Sequence, residues 1–106
     1  MVSIMKIGTH RDRKLLDLAH EAPCMLLLGA SGCGNDSSVP CHSDMLRHGR
    51  GENFKSHDCL AVPGCPPCHV LFTRAHLGRA VYEIAWSIAM ERYLVWLWTT
   101  RRIRVS

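Results

Sequence analysis

The sequence predicts a small α+β domain with a short helix at its N-terminal side and a long helix at its C-terminal side. Three observations lead there. The chain has 106 residues, the size of one domain with a limited core. Short apolar runs of strand length, 24–28, 38–41 and 59–62, lie in the first two thirds, separated by Gly-, Pro- and Asp-rich turns. The last third, from about 79 to 100, is apolar with helical periodicity. No internal repeat or linker divides the chain. A single domain over 1–106 is expected, with its core at about 22–77.

The elements follow in order. Thr9 suits an N-cap for a helix over roughly 10–21, with Asp12 at its third position and Leu15, Leu16, Leu18 and Ala19 as its apolar side. Pro23 ends it. Cys24–Leu28 reads as a strand, GASGCGNDSS (29–38) as turn chemistry, and Ser38–Cys41 as a returning strand. The glycine-rich turn lacks the Lys and Ser/Thr of a phosphate loop. Residues 42–58 form a polar loop, long for a compact domain, which suggests either function or disorder. Cys59–Val62 is extended, and Pro63–Gly64 is read as a turn. Pro67 fits the first position of a helix carrying Cys68, His69, Phe72 and His76, broken or bent by Gly78. In the last helix, Val81, Ile84, Ala85, Ile88, Tyr93, Val95 and Trp96 form the expected inward stripe. Trp86, Trp96 and Trp98 are read as core or subunit contacts, so a homodimer is one expectation.

Composition narrows the classes. A hydrophobic content of 47% argues against disorder across the chain, and a net charge of +4 permits an anionic partner without requiring one. The most apolar segment carries Glu83, Glu91 and Arg92, so no membrane span is expected. The first residues lack the apolar core and cleavage site of an export signal, so a cytoplasmic location is expected, where thiols stay reduced.

Six cysteines and seven histidines in that setting point to metal binding or chemistry. The key string is GCPPCH, 64–69. CxxCH is a haem-attachment pattern, but that attachment normally happens outside the cytoplasm. A redox CxxC belongs in a βαβ unit, which this chain lacks. A structural zinc needs two more thiolates, and Cys24 and Cys33 supply them across the glycine-rich turn. Cys24, Cys33, Cys65 and Cys68 are therefore the expected tetrahedral site. Cys41 and Cys59 are read as small buried hydrophobes, and His48, His57 and His76 as solvated or structural.

Zinc leaves His69 and the CHSD at 41–44 unexplained. A strand, a long loop and a helix with a histidine in its first turn resemble the HNH endonucleases, the ββα-metal or His-Me finger superfamily, whose core is treble-clef-like. Within it, CHSDMLRHGRG, KSHDCLAVPGCPPCH and YLVWLW resemble strings of a small phage and prophage nuclease-domain family, over roughly 11–105. The resemblance implies a metal-dependent DNA endonuclease, phage- or prophage-derived, working in recombination or DNA processing in a bacterial cell. It implies His42 as general base, Asp58 near the middle motif position that orients the base or helps hold an ion, and His69 as the helix ligand. His69 and Asp58 would hold Mg²⁺ or a similar divalent ion, beside the structural zinc. Double-stranded or branched DNA would be the partner.

The residue types suit the chemistry. A neutral imidazole accepts a proton from water near neutral pH, and a cation beside phosphate offsets developing charge. Arg47, Arg50 and Lys55 in the loop, and Arg101, Arg102 and Arg104 near the C-terminus, would meet phosphates. Two positions depart from the family pattern. Cys41 stands where an acid or histidine often serves as a second ligand, and Thr73 where another ligand often follows; Asp44 would be a substitute. An inactive zinc-binding module that contacts DNA or protein is the alternative, and a thiol-redox protein a third.

Overall fold

The computed structural model describes residues 11–29, 33–34, 37–45 and 57–103. The first helix, α1, spans Arg13–Glu21. It starts later than expected because Asp12, not Thr9, caps it. One Asp12 carboxylate oxygen accepts from the amides of Lys14 (3.0 Å) and Leu15 (3.3 Å), two donors that the first turn leaves without helical partners. Ala22 and Pro23 end α1. Ala19 is buried, and Leu15, Leu16 and Leu18 are half-buried on the side that meets the sheet.

Two strands form the sheet among the described residues. β1 is Val39–His42 and β2 is Ala61–Gly64, paired antiparallel. A 3-10 turn at Asp58–Leu60 leads into β2. β2 therefore runs through Pro63–Gly64, where the sequence suggested a turn. The register explains how: Pro40 lies opposite Pro63. Antiparallel pairs alternate between hydrogen-bonded and non-bonded, and two residues without N–H groups can share one non-bonded pair at no cost to the ladder.

The same proline explains why Cys24–Leu28 is not the expected strand. Met25 N–H donates to Pro63 O at 2.8 Å, as a third strand would. Pro63 has no N–H to return the bond, and Leu27 takes a left-handed φ of 47°, so the pairing stops after one contact. A second bond, from Arg92 Nη1 to Met25 O at 3.0 Å, ties the segment to the last helix.

The expected helix from Pro67 is two helices. α2 spans Pro66–Leu71, with Pro66 and Pro67 in its first two positions, and α3 spans Arg74–Leu77. Thr73 separates them: its hydroxyl accepts from the His76 amide at 3.0 Å and caps α3, so His76 is not on the helix that carries His69. Gly78, at φ 79°, turns the chain into α4, Arg79–Thr99, close to its expected extent.

The inward stripe of α4 differs from the expected one. Tyr82, Trp86, Ala89, Tyr93 and Leu97 are buried, while Val81, Ile84, Ile88 and Val95 are exposed. The helix carries two apolar stripes, and the aromatic one faces the core. Tyr82 stacks on Phe72 with ring centroids 4.2 Å apart, and α4 packs against β2. None of the helices described is long and apolar enough to cross a membrane.

Gly64 tests the packing where β2 meets the 24–28 segment. A Cβ there would fall 2.5 Å from Leu26 Cδ1 and 2.9 Å from Cys41 Sγ, and both neighbours are buried. Gly64→Ala is expected to lower stability by about 1–3 kcal/mol, measured by chemical denaturation.

Candidate metal centre and histidine–aspartate site

Cys65 is the N-cap of α2 and Cys68 lies in its first turn. Cys24 comes from the segment held by Pro63 and Arg92, and Cys33 from the glycine-rich turn. Their four sulfurs all lie within 4.8 Å of one another, with Cys33 and Cys68 sulfurs 3.5 Å apart. Ligand sulfurs about 2.3 Å from a tetrahedral ion would stand ~3.8 Å from each other, so the group fits a zinc-sized cation. Cys24, Cys65 and Cys68 are buried and Cys33 is half-buried. The four cysteines brought together are those expected from the sequence.

The thiols' electrostatics point the same way. Burial pushes Cys24 up, but hydrogen bonding from the backbone of Cys65 and Leu27 outweighs it and leaves that thiol below its usual range. Cys33 is pushed up to about 12, first by its hydrogen bond with Cys68 and then by burial. Ionisation is thus eased at Cys24 and opposed at Cys33 and Cys65; a divalent cation removes that conflict by stabilising all four thiolates. Cys41 is a fifth thiol nearby, itself buried and pushed up to about 12 by burial and then by the neighbouring cysteines. It packs as the expected small hydrophobe. Cys59 does not: it is exposed.

Strand alternation places the next residue differently. Cys41 points into the core, fully buried; His42, one residue on, points to the other face. There His42 Nε2 lies 2.9 Å from Asp58 Oδ1. Asp58 sits in the 3-10 turn that enters β2, so the pair closes the base of the segment leaving β1 and returning to β2. Asp58 is 6% exposed. Its other oxygen accepts the Asp12 amide at 2.6 Å, and Arg11 Nη1 stands 3.6 Å from Oδ1.

Burial alone would raise the Asp58 pKa. The hydrogen bonds from His42 and the Asp12 amide, and then the Arg11 charge, outweigh it and hold the carboxyl below its ordinary 3.8. An ionised carboxylate only accepts, so His42 Nε2 must be the donor. In the neutral ring, Nδ1 then carries the lone pair. The tautomer follows from the partner.

The remaining expected site residues are not gathered here. His69 is exposed on α2, and among the described residues no hydrogen bond or ion pair joins its ring to His42 or Asp58. The four cysteines are the single group of three or more potential metal donors among those residues. Asp58, expected as an ion ligand with His69, has its oxygens turned to His42, the Asp12 amide and Arg11. Asp44 is engaged too: Arg74 Nε donates to both its oxygens at 2.9 and 3.0 Å, and its amide donates to Tyr82 OH at 3.0 Å. Arg47, Arg50, Lys55, His48 and Arg104 lie outside the described residues. Arg101 is exposed, and Arg102 is 3.4 Å from Glu21 and stacked over Trp96 at 5.1 Å. Arg11 and Asp12 were not foreseen: they reach Asp58 across 46 residues of sequence, and no local pattern announces such a contact.

No family model, curated protein or solved structure matches this chain.

Two outcomes are expected. The protein should bind one zinc per chain through the four thiols, and chelation should lower its melting midpoint by more than about 10 °C, read by calorimetry. Asp58→Asn should cost about 2 kcal/mol at neutral pH, because a buried ionic acceptor is lost. With the folded-state pKa below 3.8, this stabilisation is full above that value and is lost as pH falls through the folded-state pKa. The gap between wild type and Asp58→Asn in denaturation should close in that acid window. Acid release of zinc affects both proteins alike.

Proposed function

We propose that this chain is a zinc-stapled endonuclease of the HNH, ββα-metal type that hydrolyses phosphodiester bonds in DNA. The observation that carries the reading is the His42–Asp58 pair at 2.9 Å. Asp58 fixes His42 through Nε2, and Nδ1 is left to take a proton from an attacking water. The hairpin, the helix after it and the four sulfurs at that helix's start agree with the string resemblance to phage and prophage nucleases.

In this reading His42 is the general base and Asp58 the positioning residue that sets its tautomer. Arg11, 45% exposed at its side chain and beside Asp58, is a cation for the scissile phosphate. A divalent ion such as Mg²⁺ would neutralise charge on the phosphate. His69, exposed on α2, is the donor this chain offers it. DNA is the partner, with recombination or DNA processing in a phage or prophage setting as the context the resemblance suggests.

A second reading keeps the zinc and drops the catalysis: an interaction module for DNA or protein. It is favoured by the absence, among the described residues, of a second donor group around His69.

Cleavage of supercoiled plasmid and of branched DNA with Mg²⁺ or Mn²⁺ separates the two. His42→Ala should slow cleavage by about 10²–10⁴-fold, and Asp58→Asn by less, with zinc content unchanged. Equal rates for wild type and His42→Ala would remove the role given to His42. DNA binding without cleavage, across metals and DNA shapes, would favour the module.

A further inference from the structure

The outer face of α4 carries a second stripe that the fold does not use. Val81, Ile84, Ile88, Glu91, Val95 and Trp98 follow one another at alternating steps of three and four residues. That is the spacing of a seam along which one helix packs on another. The five apolar members are exposed by between 40% and 62%. Trp86 and Tyr93, both buried, occupy the opposite side of the helix, so the seam faces away from the chain's own core. Leu27, 54% exposed, lies beside Val81, Ile84 and Ile88 in a shared groove and widens it. Leu27 also holds a left-handed φ, an unfavourable backbone for a large side chain left in water.

We propose that this seam pairs with the same seam of a second copy of the chain, the two α4 helices running antiparallel. Three features choose that occupant and direction. The first is charge. A parallel pair in register would bring the two Glu91 carboxylates together across the seam, whereas the antiparallel pair sets each against Ile88 and lets it reach solvent at the edge. The second is complementarity. The antiparallel layers join Val81 to Trp98 of the partner subunit and Ile84 to Val95 of the partner subunit. Small meets large, and the arrangement is self-consistent under one two-fold axis. Antiparallel helices also set each positive N-terminal end near a negative C-terminal end.

The third feature is area. With Leu27, six exposed apolar side chains at roughly 100 Å² each offer on the order of 600 Å² per copy, at the lower edge of the ~600–1,000 Å² per partner of specific interfaces. The seam is continuous over most of a helix about 30 Å long. The expected product is a reversible dimer with a dissociation constant on the order of micromolar.

The test uses the zinc-loaded full chain in sedimentation velocity over about 1–200 µM. Wild type should pass from monomer to dimer, and Ile84→Glu and Val95→Lys should each weaken association by at least about tenfold. Both positions are exposed, so folding is checked by zinc content and circular dichroism. The double variant Ile84→Glu/Val95→Lys should dimerise again, because an antiparallel pair sets each new glutamate against a new lysine. A parallel pair would set like against like and give no rescue. A monomeric wild type throughout the range overturns the proposal and leaves the seam to another partner. Dimerisation that the single variants do not weaken overturns the seam, and weakening without rescue overturns the antiparallel direction.

Discussion

Four sulfurs drawn from three separate stretches of chain are the contact on which the rest of this small fold leans. Among the described residues the sheet has two strands of four residues each, and an isolated hairpin of that size is marginal in water. The segment with Cys24 makes one backbone bond to β2 and then turns away. The turn with Cys33 brings few apolar residues of its own. What joins these pieces to α2 is the convergence of their thiols within 4.8 Å. A cation there would join segments far apart in sequence and constrain the unfolded chain, as metal sites in small domains do. The sheet and the helices then inherit their positions: β2 ends at Gly64, next to Cys65, and β1 is fixed by β2.

The His42–Asp58 site depends on that chain of positions through strand register. Cys41 and His42 are neighbours with opposite fates, one fully buried near the four clustered thiols and the other on the far face. A slip of one residue would exchange them, bringing a histidine to the thiol cluster and a thiol to Asp58. The Pro40–Pro63 pair guards against this slip, since moving either proline into a bonded position would forfeit a ladder hydrogen bond. Asp12 adds a clamp from outside the sheet. Its side chain caps α1 while its own amide donates to Asp58, so the start of the first helix and the orientation of His42 are set by one residue.

How much of this could be read beforehand varied with the range of the interaction. The four thiols, the 38–41 strand and the extent of α4 rest on residue type and local pattern, and all were legible. His42 and Asp58 were legible as residues of interest, but their mutual contact required the fold. The 24–28 segment looks like a strand by composition; what prevents it is a missing N–H on Pro63, nearly forty residues away. The break after α2 had a local signal, Thr73 as an N-cap, outweighed by the apparent continuity of apolar positions. The other groups at the Asp58 oxygens, the Asp12 amide and Arg11, were not legible for a similar reason: they come from the far N-terminal side.

The stripe on α4 is the most instructive case. Periodicity finds an apolar face and carries no information on what covers it. Here the helix has two. The aromatic stripe, with large rings that fill space against β2 and Phe72, takes the core. The aliphatic stripe, more regular in spacing, is left facing solvent. A helix apolar on both sides is stable in water only if both sides are covered. In the proposed dimer the helix separates the two tasks. Asp58 shares an apolar recess with Met90, Tyr93 and Leu97 on the inner side, while the seam lies on the outer side. Each helix is about 10 Å across, so at least two helix widths stand between the paired sites. Association of the seams therefore leaves both His42–Asp58 pairs uncovered, and assembly and chemistry can be disturbed one at a time.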